Sequence, residues 1–164
     1  MPMVNPDDIA REMGQYDRLL AKAGRQALGD RDRLLNGGQS FGIETTLSGA
    51  GALRFMARGA AAGFRLMFIF IGLESATLSL MRVVGRVQEG GHDVPPTDIA
   101  RRYPASLANL APALRLAERA WVVDNSGRRR RLLISRNQGQ VRYITPNLPA
   151  WAADAVPQEL RTLH

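Results

Sequence analysis

Residues Arg65 to Leu73 read RLMFIFIGL, a nearly unbroken apolar run. Runs of that kind suit a strand covered on both faces, as in the middle of a parallel sheet. The run is far below the roughly 20 residues that a membrane helix needs. Before it, Gly49 to Gly63 is Ala-rich and carries Leu53, Met56 and Ala60 at helical spacing. After it, Ser75 to Gln88 places Leu78, Met81, Val84 and Val87 near one helical face. Arg119 to Asp124 (RAWVVD) is a second buried-looking strand, followed by a turn at Asn125-Ser126-Gly127. RRLLIS and QVRYIT are two short strands around Asn137-Gln138-Gly139.

The upstream half extends the same alternation. Val4 ends a strand, Asn5 and Pro6 make a turn, and Asp7 or Asp8 starts a helix. Tyr16 to Leu35 follows with a long helical pattern, stopped by Gly37 and Gly38. Ser40 to Thr46 (SFGIETT) is a short strand ending in polar residues. The whole predicts an α/β fold, with a mainly parallel sheet flanked by helices, as a single domain over residues 1–164.

Arg82 to Leu110 reads RVVGRVQEGGHDVPPTDIARRYPASLANL. Two arginine-bearing helical segments flank Gly90, Gly91, His92, Asp93 and Val94, and Pro95-Pro96 define the exit. Such a segment can close guanidinium groups of Arg86, Arg101 and Arg102 over an anion. On spacing alone, two solvated helices and a loop are the favoured reading, because arginines mostly lie in solvent. Ile99, Tyr103, Leu107 and Leu110 share the apolar face of the second helix, with a kink expected at Pro104.

Composition narrows the chemistry. The 22 basic residues against 15 acidic ones give a net charge of +7, and Lys22 is the sole lysine. That balance suits phosphates, nucleotides or nucleic acid, or simply reflects background composition. The absence of cysteine removes disulfides, thiolate zinc sites and cysteine nucleophiles. His92 and His164 are too far apart for a standard zinc spacing. No charged and then apolar leader opens the chain, so a cytoplasmic protein with no membrane attachment is expected. The Gly127 to Arg131 run (GRRRR) could meet a nucleic-acid backbone, but it lies in a turn without interleaved aromatics. A nucleic-acid site ranks below a solvated loop or a nucleotide-pocket rim.

In open parallel sheets, ligands sit beyond the carboxyl ends of the strands. Asn5, Asp7 and Asp8 follow the first strand, Glu44, Thr45 and Thr46 end the second, and Asp124, Asn125 and Ser126 end the last long one. Each suits a turn or a cap taken alone. Together with the arginines they outline one candidate site.

VNPDDIAR, SFGIETTLSG, the apolar strand, RVQEGGHDVPPTDIARRYPASLANL and the strand ending in DNSG resemble, in order from about residue 4 to residue 135, the zeta-toxin family of P-loop kinases. GGHDVP followed by RRYPxSLANL is the most specific part. The resemblance implies a fold like that of small-molecule kinases and transfer of the ATP γ-phosphate to a small-molecule hydroxyl. Some members phosphorylate UDP-N-acetylglucosamine, and many are paired with an antitoxin. Carried over, Asp7 matches the catalytic base, and Asp8 is its less favoured neighbour. Glu44 and Thr46 match substrate contacts. Arg86 and Arg102 match lid arginines, with Arg101 the alternative for Arg102. Asp124, Asn125 and Ser126 match the adenine side of the pocket. The implied cofactors are ATP and Mg²⁺.

One departure is large. Such kinases hold the β- and γ-phosphates on a GxxxxGK[ST] loop whose hydroxyl ligates Mg²⁺, and no such motif occurs in these 164 residues. Lys22 has no Gly-rich loop before it. The family's first strand and loop are therefore expected to be missing, through a truncated start or a natural inactive form. The expectation is negligible catalysis. The alternative is a non-catalytic module that binds protein or nucleic acid. An uncovered sheet edge would invite an antitoxin-like partner or self-association.

Overall fold

The computed structural model describes residues 1–13, 16–91 and 93–162. They form two compact units, Met1–Thr45 and Thr46–His164.

In the first unit, β1 (Met3–Val4) pairs in parallel with β2 (Gly42–Ile43), Val4 lying beside Ile43. Between them come α1 (Pro6–Glu12) and α2 (Tyr16–Asn36), which pack together. Pro6 sits at the helix start, where its missing N–H costs nothing, and Asp7 and Asp8 meet the positive end of the helix dipole. The buried residues are mostly small: Ala10, Ala23 and Ala27, with Val4 and Leu35.

The second unit runs α3 (Ala50–Ala61), β3 (Met67–Gly72), α4 (Ala76–Gln88), α5 (Pro96–Leu116), β4 (Arg119–Asp124), β5 (Arg131–Asn137), β6 (Gln140–Ile144) and α6 (Ala150–Ala155), ending in a 3₁₀ turn at Gln158–Leu160. Its sheet has the order β3-β4-β5-β6. β3 and β4 are parallel, from Met67 beside Arg119 to Gly72 beside Asp124, whereas β4–β5 and β5–β6 are antiparallel.

The α/β class therefore holds, but the sheets are small and mixed rather than mainly parallel. The reason is connection length. A parallel return needs a crossover of about a dozen residues or more. That room exists between β3 and β4, where α4 and α5 intervene, but not in the turns that follow β4 and β5. Gln138 and Gly139, at φ 51° and 77°, make the tight hairpin turn whose twist matches paired antiparallel strands.

A second correction concerns β3. Its run of apolar residues predicted cover on both faces, yet Met67, Ile69 and Ile71 are 67%, 64% and 54% exposed, while Phe70 is buried. The core gathers on one side of the sheet. There Phe70 and Val122 meet Leu110 and Leu114 of α5, Ala52 of α3 and Trp151 of α6. α5 continues through Pro104 and Pro112 as one helix. Buried Arg136 donates to the Leu114 carbonyl at 2.8 Å and to the Gly139 carbonyl at 2.7 Å, fastening the hairpin turn to the end of α5.

Gly72 is fixed by contact. A Cβ placed there would lie 2.3 Å from the Trp151 ring, so the indole can seat on β3 only where no side chain intervenes. Gly72→Ala should therefore destabilise the protein by about 1–3 kcal/mol through overpacking. Gly85→Ala, in α4 with nothing within 4 Å of its new methyl, should instead gain about 0.5–1 kcal/mol. Denaturant unfolding of the two variants against the parent checks both signs.

Candidate functional site

Because β1 and β2 are parallel, the residues after Val4 and Ile43 leave the same end of the pair. Asn5, in extended conformation, caps α1 by accepting from the Asp7 N–H at 2.9 Å. Its side-chain amide also donates to the Glu44 carboxylate. One asparagine thereby holds Asp7 and Glu44 at one end of this small sheet. Asp8 takes no part. It is exposed and paired with Arg11 at 2.6 Å one turn along the helix. Asn5 was read as a turn residue and as one of the strand-end residues of the candidate site, but not as the cap that bridges them. The available signal was an N-cap amide two residues before an aspartate, with a second hydrogen-bonding end to spare.

In the second unit, Thr46 shares a 2.8 Å hydroxyl hydrogen bond with Ser48. The next residue, Leu47, is buried in the left-handed region at φ 56°, and its carbonyl accepts from Asn109 of α5 at 2.7 Å. A non-glycine residue persists there only when its surroundings hold it. Burial and the Asn109 bond supply that hold, and they fix the loop that carries Thr46.

Asp124, Asn125 and Ser126 are brought together at the ends of β3 and β4. The Asp124 carboxylate accepts from the Ser126 backbone at 3.1 Å and from its hydroxyl at 2.6 Å, and it faces Arg131 at 3.4 Å. Ser126 Oγ accepts in turn from the Glu74 N–H at 2.8 Å, and the Asn125 N–H donates to the Gly72 carbonyl at 2.9 Å. Arg82 of α4 donates to the Asn125 carbonyl at 2.9 Å. The knot therefore joins β3, β4 and α4. Arg82 and Arg131 were not singled out as site residues. Arg82 lies one helical turn before Arg86, a spacing that puts the two on one face. Arg128, Arg129 and Arg130, of the GRRRR run, are exposed in the turn.

The glycine pair after α4 is a helix stop. Gly90, at φ +88°, bonds back to Val87, and the Gly91 N–H reaches the Arg86 carbonyl at 2.9 Å, the two-bond pattern that closes a helix C-terminus. The Arg86 guanidinium is exposed and makes no hydrogen bond or ion pair among the described residues. Arg101 and Arg102 both bind Asp98, at 3.0 and 2.6 Å. The hydrogen bond from Arg101, then the charges of both arginines, hold the Asp98 carboxyl below its ordinary range. Arg86 is thus available to an anion, whereas Arg102 would have to share or leave Asp98. His92 of this loop lies outside the described residues.

An open cleft of about 460 Å³ lies beside the end of β3, lined by Glu74, Tyr103, Leu107, Trp151 and Asp154. The Tyr103 hydroxyl donates to the Leu73 carbonyl at 2.9 Å, and burial, then the charge of Glu74, push its ionisation up. Sequence pattern placed Tyr103 on an apolar face but did not reveal the cleft, because α6 had not been anticipated. Among the described residues, no group of three or more His, Cys, Asp or Glu side chains is placed to hold a metal. No described helix is long and apolar enough to cross a membrane.

No family model matches the chain, and no solved structure matches it. An uncharacterized protein of Haemophilus influenzae is 29% identical over 103 residues, which cover 62% of this chain and 74% of the relative.

Burial, the largest effect on Asp124, raises its carboxyl pKa, but the Ser126 and Arg131 bonds outweigh it and leave the group below its ordinary range. A lowered carboxylate pKa contributes stability above the unfolded-state value of about 3.9, which is lost as pH falls toward the folded one. Thermal melts should therefore fall more steeply below about pH 4 in the parent than in Asp124→Asn. Equal slopes would mean that the knot does not hold Asp124 ionised.

Proposed function

We propose that this chain is the body of a zeta-toxin-like kinase domain, which binds the small-molecule acceptor of a phosphoryl transfer, UDP-N-acetylglucosamine or a similar nucleotide sugar. The observation that carries this reading is the Asn5 bridge, which sets two carboxylate residues, Asp7 and Glu44, at one end of a parallel strand pair. A sugar hydroxyl is a poor nucleophile until it is hydrogen-bonded and oriented, and a carboxylate supplies both the orientation and a place for the proton. In this reading Asp7 takes the proton and Glu44 binds the acceptor. For Thr46, and for Arg86 and Arg102 with Arg101 as the alternative for Arg102, the roles remain those that the resemblance implies, an acceptor contact and lid arginines. The resemblance implies that Asp124, Asn125 and Ser126 would border the adenine if ATP were bound.

The residues present do not suit Mg-ATP. The 164 residues contain no phosphate-cradling GxxxxGK[ST] loop. The described residues also hold no cluster of metal ligands. No step is assigned to the metal, and the chain by itself is expected to bind acceptor without transferring phosphate.

Calorimetric titration of the purified chain with UDP-N-acetylglucosamine tests this. Binding is expected, and Glu44→Gln should weaken it about 10- to 100-fold, the worth of a charge-assisted hydrogen bond of about 1.5–3 kcal/mol. Mg-ATP added to the same mixture should give no phosphorylated sugar. Absence of binding, or product formation by the chain alone, would overturn the reading.

A further inference from the structure

The cleft beside the end of β3 lies wholly within the second unit, and the kinase reading uses none of its lining residues. α5 contributes Tyr103 and Leu107, one helical turn apart, and α6 contributes Trp151 and Asp154 in the same way. Glu74, two residues beyond β3, completes the larger side chains, and three alanines leave room between them. The volume of about 460 Å³ falls within the range of about 300–1,000 Å³ that small-molecule sites occupy.

Hydrogen-bonding capacity decides what could enter. Carboxylates accept and do not donate. Glu74 and Asp154 are both exposed, and neither carboxylate has an ion-pair or hydrogen-bond partner among the described residues. The Tyr103 hydroxyl donates its one hydrogen to the Leu73 carbonyl at 2.9 Å, which leaves only its lone pairs. The one side-chain N–H of the lining, that of Trp151, is buried. The side-chain groups left to a ligand are therefore acceptors, and the ligand must be a donor.

Charge narrows the class further. The chain has 22 basic residues, yet no arginine or lysine lines this cleft. The Glu74 charge reaches into it: after burial, it is the cause that pushes the Tyr103 ionisation up. An anion would meet like charge and lone pairs here. A cation would meet two carboxylates and two aromatic rings, whose π-systems attract it. A metal ion finds too few ligands, because among the described residues no three His, Cys, Asp or Glu side chains are grouped to hold one. An organic ammonium on an apolar stem uses the whole lining, its head at a carboxylate and its methylenes along Leu107 and the rings. The two carboxylates stand on separate elements, so a ligand with more than one ammonium matches both.

We propose that this cleft binds an aliphatic polyamine, with one ammonium at Glu74, another at Asp154, and the methylene chain against Tyr103, Leu107 and Trp151. This inference is independent of the kinase reading.

The probe is spermidine, titrated by calorimetry into the full chain. Saturable one-to-one binding that weakens as salt rises is expected. Glu74→Gln and Asp154→Asn, both at exposed positions, should each weaken it about three- to tenfold, as loss of a partly screened charge-assisted hydrogen bond does. Glu12→Gln, at an exposed position in the first unit, changes the net charge equally and should leave binding unaltered. Butylamine, with a single ammonium, should bind more weakly than spermidine, and 1,4-butanediol should not bind. In Trp121→Phe, which leaves Trp151 as the single tryptophan, spermidine should change the indole emission. No saturable binding of spermidine, equal losses in Glu12→Gln and Glu74→Gln, equal binding of butylamine, or an unchanged Trp151 emission on binding would overturn the proposal. So would tighter binding of an end-blocked tetralysine peptide, because the occupant would then be a segment of a protein.

Discussion

The parallel pairing of β3 with β4 is the contact on which the larger unit depends. It aligns six residues of each strand and sets Gly72 beside Asp124. From that alignment come the Asn125 bond to Gly72, the Ser126 bond to Glu74, and the polar knot around Asp124. It also sets the bare Gly72 backbone where Trp151 can press against it, so α6 closes the core over the same strand end. Sequence separation between the paired strands is large, and α4 and α5 fill it. α5 is the element that repays this, because Leu110, Leu114, Ala111 and Ala113 are all buried against the sheet side of the core.

The same pairing leaves an imbalance. Helices cover one side of the sheet, and β3 stands at its edge with large apolar side chains on the other. Transferring apolar area from water is worth roughly 25 cal/mol per Å². Three residues more than half exposed therefore leave a driving force for association that folding of this unit does not use. The polar residues singled out for the site show the opposite pattern. Most of them are committed: Asp124 to Ser126 and Arg131, Glu44 to Asn5, and Arg102 to Asp98. Arg86 stands apart, with an exposed guanidinium that has no partner among the described residues.

Much of the architecture was legible. RLMFIFIGL and RAWVVD announce strands by unbroken apolar character, and RAWVVD matches β4 residue for residue. Ser75, which accepts from the Leu78 N–H, marks the start of α4 as a capping serine should. Gly37-Gly38 stop α2 as expected, whereas Gly90-Gly91, read as a hinge, also close their helix. Sheet direction was misjudged even though the turns around Gln138 were read correctly, because apolar runs report burial and not the sense of pairing. Burial itself was overestimated for β3, since a run such as MFIFIG gives no sign of whether both of its faces find cover. α6 was missed because six residues are too few to show a helical period. In the site, the Asp124-Asn125-Ser126 cluster was legible as a strand end, whereas the Asn5 bridge spans 39 residues and no local pattern carries it.

The central claim is that β3 is a one-sided edge strand, open where its sequence suggests burial. Hydrogen–deuterium exchange of the purified chain, resolved to single amides, tests it most directly. β4, flanked by β3 and β5, should exchange slowly along its length, while those β3 amides that do not face β4 should exchange orders of magnitude faster. Uniform protection of β3 equal to that of β4 would mean that another strand already occupies the edge, and would contradict the account.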